Sequence, residues 1–485
     1  MARLISILTI CVLSVAADAG EADHYRLITL PIPNNIRLEV SGIAVLPNHE
    51  LAVAIRKGEI WRIENAYTDP PEDLKFHLMA EGLHEPLGLA YHNDDLYTVQ
   101  RSELTRLRDT NGDGVVDEYL TIAKGWGLTG NYHEYAFGPL IDRDGNFWLT
   151  LNCSIGKKLG DDDAWRGWSI RVDPGGQWSP ISAGLRAPCG LGMNATGDVF
   201  CVDHQGHWVP TCSLIHIEPG DFHGHVEALK HTKRPESPVK HPGNIPAGLT
   251  IPQAAEQIPG FKLPAVWFPY NKMGQGLTDI ACDRTGGRFG PFTEQLFVGD
   301  FTSSSLFRVD LESVKGQYQG ACFRFRTGLQ CAAMRLAWGE DGSMFIGQTN
   351  RGWNSLGTSP FGLQRLIFTG KIPFAIQTMR AMSDGFELTF TQPVDLKTLR
   401  AANGVKMQSY THHYRPAYGS PEIDVITLDV SRIRSTDDNR TVFLAVSPLR
   451  SGYIHELTLA HVTSMSGAPL LHDTAYYTLN QIPDK

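Results

Sequence analysis

The stretch "GNYHEYAFGPLIDRDGNFWLTLNC", residues 130–153, sets His133 at the head of an apolar strand, ahead of a polar turn and a second strand. An imidazole changes charge near neutral pH, so one held where a strand begins is suited to take a proton from a bound hydroxyl. Comparable strand starts, each ahead of a Gly/Asn/Asp turn, are Ser41-Gly42, His84-Glu85-Pro86, Arg186-Ala187-Pro188, Gln275-Gly276 and Met334-Arg335. Four of these six starts carry charged or titratable side chains. Burying unpaired charge costs on the order of several kcal/mol. A polar funnel that binds a ligand therefore accounts for them better than a packed core. A structural histidine, and arginines that tie strands together, form the competing reading.

A second chemistry lies in "DTNGDGVVDEY", residues 109–119. Asp109, Asn111, Asp113 and Asp117 offer side-chain oxygens, Val115 its carbonyl, and Gly114 stands at the tight turn. That is the donor pattern of a calcium loop. No glutamate stands at the twelfth position, so a calcium-stiffened hairpin is expected rather than a helix–loop–helix hand. An Asp/Asn turn without metal is the alternative. His204, His207, His223 and His225 cluster over two loops, but their irregular spacing is a weak zinc signal. No GxGxxG follows a strand to open a helix, which argues against a nicotinamide or flavin site of the dinucleotide-binding kind. The absence of CxxC and CxxCH excludes a zinc ribbon and covalently attached haem.

These residues need elements to position them. One unit recurs, with turns at 46–54, 91–99, 141–149, 193–201, 282–300 and 339–347, spaced by roughly 45 to 55 residues except for one double interval. The Pro-, His- and Lys-rich stretch of about 218–272 fills that interval as an insertion. Repeated small antiparallel sheets predict an all-β fold, a six-bladed β-propeller over 25–370, with an irregular sandwich as the competing arrangement. After Gly370, period-two runs such as "GFELTFTQPVD" and "HELTLAHV" predict an immunoglobulin-like β-sandwich over 371–485, expected to serve packing or attachment.

The gross numbers agree. The 485 residues hold 48 glycines and 29 prolines, as a turn-rich β protein does. The net charge of −9 argues against nucleic acid or an anionic membrane as partner. Arg3, the apolar stretch 4–17 and "ADA" at 17–19 predict a cleaved signal over 1–19, hence a periplasmic or secreted protein; a membrane anchor is the alternative. No later stretch is suited to span a membrane. Export permits disulfides, and of the seven cysteines after Cys11, Cys322 with Cys331 is the expected bridge because both flank one short hairpin.

From about residue 30 to 370 the chain resembles the soluble quinoprotein glucose/sorbosone dehydrogenases, and more closely the "membrane-bound dehydrogenase" propellers of planctomycetes. The resemblance is carried by "HEPLGLAY" (84–91), "YHEYAFGPLIDRDGNFWLTLN" (132–152), "GLRAPCGLGMNATGDVFCVDHQG" (184–206), "WFPYNKMGQGLTDI" (267–280) and "MRLAWGEDGSMFIGQT" (334–349). The tail "AYYTLNQIP" also resembles the C-terminal module attached to such chains.

The resemblance implies His133 as general base, with Asn152 near the place of the family's acidic partner and Glu134 and Glu85 as nearby candidates. Arg186 would face a quinone oxygen or a cofactor carboxylate, and Arg335 would complete the cofactor cradle. Asp203 and His204 would be ligands of a catalytic calcium; Glu85, Gln275 and Gln348 would bind substrate. Thr302 stands where the family has a lysine gripping the quinone, and Lys272 is a candidate substitute. The implied activity is a sugar or polyol dehydrogenase with pyrroloquinoline quinone on calcium, passing electrons to a separate acceptor such as a cytochrome c or a quinone. Two alternatives stand beside it. One is a metal-dependent lactonase or glycan-processing enzyme using Glu85, Asp203 and His204; the other is a non-catalytic propeller that binds carbohydrate or a partner.

Overall fold

The computed structural model describes residues 19–156, 159–160, 162–401 and 404–484. The signal expected over 1–19 lies, apart from Ala19, outside the described residues. Apolar runs broken by Gly/Asn/Asp turns fold into antiparallel four-stranded meanders. The second strand of each is the best covered: Asp95–Val99, Phe147–Leu151, Val199–Asp203 and Leu296–Asp300 are buried at every position. A strand packed by neighbouring sheets on both faces reads as a continuous apolar run rather than an alternating one.

Five such sheets stand free. The first runs from Val40–Leu46 to Lys75–Ala80, the second from Ala90–His92 to Glu118–Lys124, and the third from Ala136–Ile141 to Trp178–Ala183. The fourth runs from Gly190–Met193 to Val266–Phe268. The last combines Ala333–Trp338, Met344–Thr349 and Phe361–Phe368 with the N-terminal strand Tyr25–Thr29. The molecule is therefore a β-propeller, but with five separate blades where the repeat predicts six. The quartet from Leu277–Cys282 to Gln317–Arg326 is absorbed into an 11-stranded sheet. Its outer strand does not end a blade, because Gly320, Ala321 and Cys322 pair onward with Thr478, Tyr477 and Tyr476 of the C-terminal segment.

The innermost strand of each quartet touches the next in chain order, and the circuit closes where Ala333–Trp338 meets Val40–Leu46. Backbones approach closely near the axis. At Gly88, whose φ is +142°, any Cβ would overlap the Gly138 carbonyl, so only glycine serves there.

Beyond residue 370, seven of the eight described strands, from Ile376–Met382 to Thr474–Leu479, enclose a second apolar core that includes Phe386, Leu388, Leu444, Leu457 and Tyr477. The insertion clasps this module. It lies between the third and fourth strands of the fourth sheet, and Val266–Phe268, inside the expected insertion, belongs to the sheet itself. Its Leu249–Thr250 pairs with His413–Tyr414.

The expected Cys322–Cys331 bridge is absent: the seven cysteines from Cys153 to Cys331 are free and buried. The hairpin joins Ser305–Val314 to Gln317–Arg326, which leaves Cys331 beyond it, while the Cys322 thiol turns to the Trp267 carbonyl at 3.6 Å. Dithiothreitol is accordingly expected to leave the melting temperature unchanged in calorimetry, and a fall of several degrees would reveal a bridge.

Candidate functional site

A cavity of about 730 Å³ opens at the hub of the ring. His133, Asn152, Arg186, His204, Gln275 and Thr302, distant in the chain, all line it. Each sits within three residues of a strand end, and His133 lies in the loop three residues ahead of Ala136–Ile141 rather than at the head of the strand itself.

His133 is held firmly. Its Nδ1 lies 2.7 Å from the Cys153 carbonyl. A carbonyl only accepts, so Nδ1 carries the hydrogen and Nε2 keeps its lone pair. The Asn131 side chain fixes the residue from behind, accepting the His133 amide at 2.9 Å. Burial, with the nearby Arg186 and His204, pushes the imidazole down to about 4, although the Cys153 carbonyl opposes this. The ring is therefore neutral at physiological pH. Its orienting partner is a carbonyl, and the Glu134 carboxylate turns away to accept from the Thr129 amide and hydroxyl and from the Ser154 hydroxyl.

Arg186 is 7% exposed, and its Nε is buried without a hydrogen-bond partner; its guanidinium lies 5.2 Å from the centroid of the Tyr418 ring. Asn152, 3% exposed, likewise has an unpartnered Oδ1. Buried polar groups are nearly always satisfied, so two such groups on one cavity wall point to a ligand. Gly206 makes the room: a Cβ there would overlap the Arg186 guanidinium. Gly206→Ala is thus expected to displace the guanidinium and weaken anion binding by about tenfold, with the fold intact by circular dichroism.

Other expected site residues do different work. Asp203 does not line the cavity. Its buried carboxylate accepts the amides of Arg186 (2.8 Å), Ala187 (2.7 Å) and His204 (2.8 Å), so it positions the loop rather than a cation. His204 donates from Nε2 to the Leu277 carbonyl at 2.6 Å, and burial pushes it down to about 4. Arg335 is not a cradle residue. It donates to the carbonyls of Ser41 (2.9 Å), Met334 (2.7 Å), Thr278 (3.2 Å) and Leu87 (3.3 Å), bolting sectors of the ring together. Glu85 pairs with Arg101 and, at 2.6 Å, with Arg56. Gln348 is buried in the last blade against Gln364 and Gln330, both at 2.9 Å. Neither Glu85 nor Gln348 reaches the cavity. The Thr302 hydroxyl accepts from the Trp353 indole at 2.8 Å. Lys272 cannot replace the missing lysine, because it is bound by Glu422 (2.7 Å) and Glu456 (2.8 Å).

The expected calcium loop lies on the outer hairpin of the second blade. Asp109 accepts the amides of Gly112 and Gly114 (both 2.7 Å), and Asn111 that of Asp113 (2.8 Å). Asp113 accepts that of Val115 (2.9 Å), and Asp117 the Thr110 amide and hydroxyl (2.9 and 2.7 Å). Among the described residues, no group of three or more His, Cys, Asp or Glu is gathered to hold a metal, either here or at the hub.

The lining also contains residues that the sequence reading missed: Arg56, Arg351, Tyr132, Tyr270, Trp353 and Tyr418. Tyr418 comes from the C-terminal module. Its loop is laced to the propeller by Gly419 N to Gly206 O (3.0 Å), Ser420 N to Pro210 O (3.0 Å) and Trp208 N to Arg415 O (3.0 Å). Among the described residues no aspartate or glutamate lines the cavity, so an acidic chain presents a basic, aromatic hollow.

Residues 47–242 match a family model described as a domain of unknown function, DUF7133. No curated protein matches the chain. Among solved structures, a Trichoderma reesei protein of Carbohydrate-Active Enzymes Family AA12 is similar, with 15% identity and a TM-score of 0.52, covering 74% of this chain and 99% of that one. A structure described as glucose dehydrogenase is 17% identical over 70% of this chain and 98% of its own, with a TM-score of 0.50. The PQQ-bound aldose sugar dehydrogenase of Streptomyces coelicolor is 17% identical, covering 71% and 98%, with a TM-score of 0.48. At these identities the likeness is one of fold.

Proposed function

We propose that this chain is an exported propeller oxidoreductase that oxidises a hydroxyl of a carbohydrate or polyol, with a quinone-type cofactor in the hub cavity. One observation carries the reading: a neutral imidazole, His133, keeps an open Nε2 beside Arg186, whose buried Nε has no protein partner. An anionic planar quinone suits the cavity in size and charge, with Arg186 to donate to its oxygens, the Asn152 Oδ1 to accept from a ring N–H, and Phe137 and Tyr135 as walls. When bound, it would supply a two-electron acceptor for the hydride of the carbinol carbon. His133 takes the hydroxyl proton on Nε2 while the Cys153 carbonyl holds the ring in the required tautomer. Arg186 opposes the negative charge that develops. Among the described residues no carboxylate lines the cavity, so a calcium ion there would rest on backbone and amide oxygens.

The sugar-dehydrogenase descriptions of structures with this fold support the reaction class. The C-terminal strand order supports an immunoglobulin-like module. The first two strands, Ile376–Met382 and Gly385–Phe390, are followed along the sheet by Thr441–Ser447 and Ile423–Ser435, and Lys406–Thr411 by Tyr453–Thr458 and Thr474–Leu479. The metal-dependent alternative finds less support, since Glu85, Asp203 and His204 are each engaged by protein partners.

The test is reconstitution. The purified chain, given pyrroloquinoline quinone and then gel-filtered, is expected to retain quinone absorbance and to reduce a dye with some member of an aldose and polyol panel. Loss of the quinone on filtration, with no dye reduction, would leave the chain as a binding propeller.

A further inference from the structure

The mouth of the hub cavity is ringed by exposed aromatic side chains: Tyr132 (66% exposed), Tyr418 (60%), Trp353 (47%) and Tyr270 (39%). They come from four separate places, including the C-terminal module, and each leaves a large ring in solvent at the entrance of one polar hollow. Large exposed rings around a polar opening mark a binding surface. The flat CH-rich faces of pyranose rings suit such platforms, while their hydroxyls suit the surrounding polar groups. Two of the rings are rigid. Trp353 is fixed by its indole bond to Thr302 and by Phe301 at 4.5 Å; Tyr418 is braced against His207 at 5.7 Å and Arg186.

Charge narrows the ligand further. Arg351 stands at the same mouth with a 53% exposed side chain, and its nearest carboxylate, Glu39, is 4.0 Å away and already paired with Arg37 at 2.8 Å. Arg186, whose Nε has no hydrogen-bond partner, lies on the same lining, while Arg56 there is already paired with Glu85 at 2.6 Å; among the described residues the lining includes no acid. A neutral sugar would leave the Arg351 charge at the mouth unanswered.

We propose that the mouth takes the end of an acidic oligosaccharide, carboxylated or sulfated, with pyranose rings stacked on Tyr418 and Trp353 and an acid group read by Arg351. The inference deepens the carbohydrate reading above and rests on it for the nature of the ligand. It gives the C-terminal module a share in substrate choice, where the sequence suggested packing or attachment alone.

The test measures binding by calorimetry, with no cofactor added, to a galacturonate tetramer, a sulfated galactan tetramer and a neutral cello-tetramer. At least one acidic chain is expected to bind about tenfold tighter than the neutral one, with an affinity that falls as salt rises. The tighter acidic arm tells carboxylate from sulfate. Arg351→Gln, an exposed change that the fold tolerates, should abolish the acidic preference, and Tyr418→Ala should weaken all chains by about tenfold. Equal affinity for neutral and acidic chains, or an acidic preference that survives Arg351→Gln, would overturn the proposal. Acidic-chain binding without dye reduction would support it while sinking the oxidoreductase reading. Turnover of a neutral monosaccharide with no chain binding would do the reverse.

Discussion

His133→Ala is expected to lower the dye-reduction rate of the reconstituted protein by about 10²- to 10⁴-fold, the usual worth of a positioned proton acceptor. The melting temperature should change little, because the substitution removes one side-chain hydrogen bond, from Nδ1 to the Cys153 carbonyl. The pH profile tests the same assignment. The imidazole is held near 4 by burial and by neighbouring cations, so its lone pair is free at neutral pH and is lost as pH falls through that value. Activity should be level on the neutral side and decline toward pH 4. Turnover that survives His133→Ala would remove this residue from the reaction.

Glu21→Ala is expected to destabilise the protein by about 3–5 kcal/mol, the cost of leaving a buried cation uncompensated. Glu21 is 1% exposed, and its carboxylate accepts from Arg326 at 3.0 Å and from the Thr327 amide and hydroxyl at 2.8 and 2.9 Å, with His472 at 3.4 Å. One side chain thus joins the short N-terminal helix Ala19–His24, the strand Gln317–Arg326 and the C-terminal module. Urea unfolding measures the loss. The double variant Glu21→Ala with Arg326→Met should recover much of it, since an apolar pair needs no counter-ion. A single variant as stable as the parent would show that the carboxylate contributes nothing.

Much of this architecture was legible because each turn motif announces a hairpin and each run before it begins an inward strand. That logic brought His133, Arg186 and Gln275 to one cavity, and the family resemblance added Asn152, His204 and Thr302. It misjudged Arg335, because a guanidinium spent on four main-chain carbonyls looks, in sequence, the same as one awaiting a ligand. It overcounted free blades because nothing in "GQYQGACFRFR" says that this strand will accept another from residues 474–479. Tyr418 was invisible for a related reason: a side chain from one module enters the site of another through loop contacts that carry no periodicity.

Tyr25–Thr29 completes the last sheet, with Tyr25 set opposite Phe368, 343 positions later (368 − 25). The first strand described is therefore housed only by the last strand of the propeller, and a nascent polypeptide must wait for nearly all of its propeller before the circle can shut. Until then it carries two unpaired edges, the condition that invites mispairing between chains. Any product stopped before residue 361 lacks the strand that receives Tyr25–Thr29, so its propeller never locks.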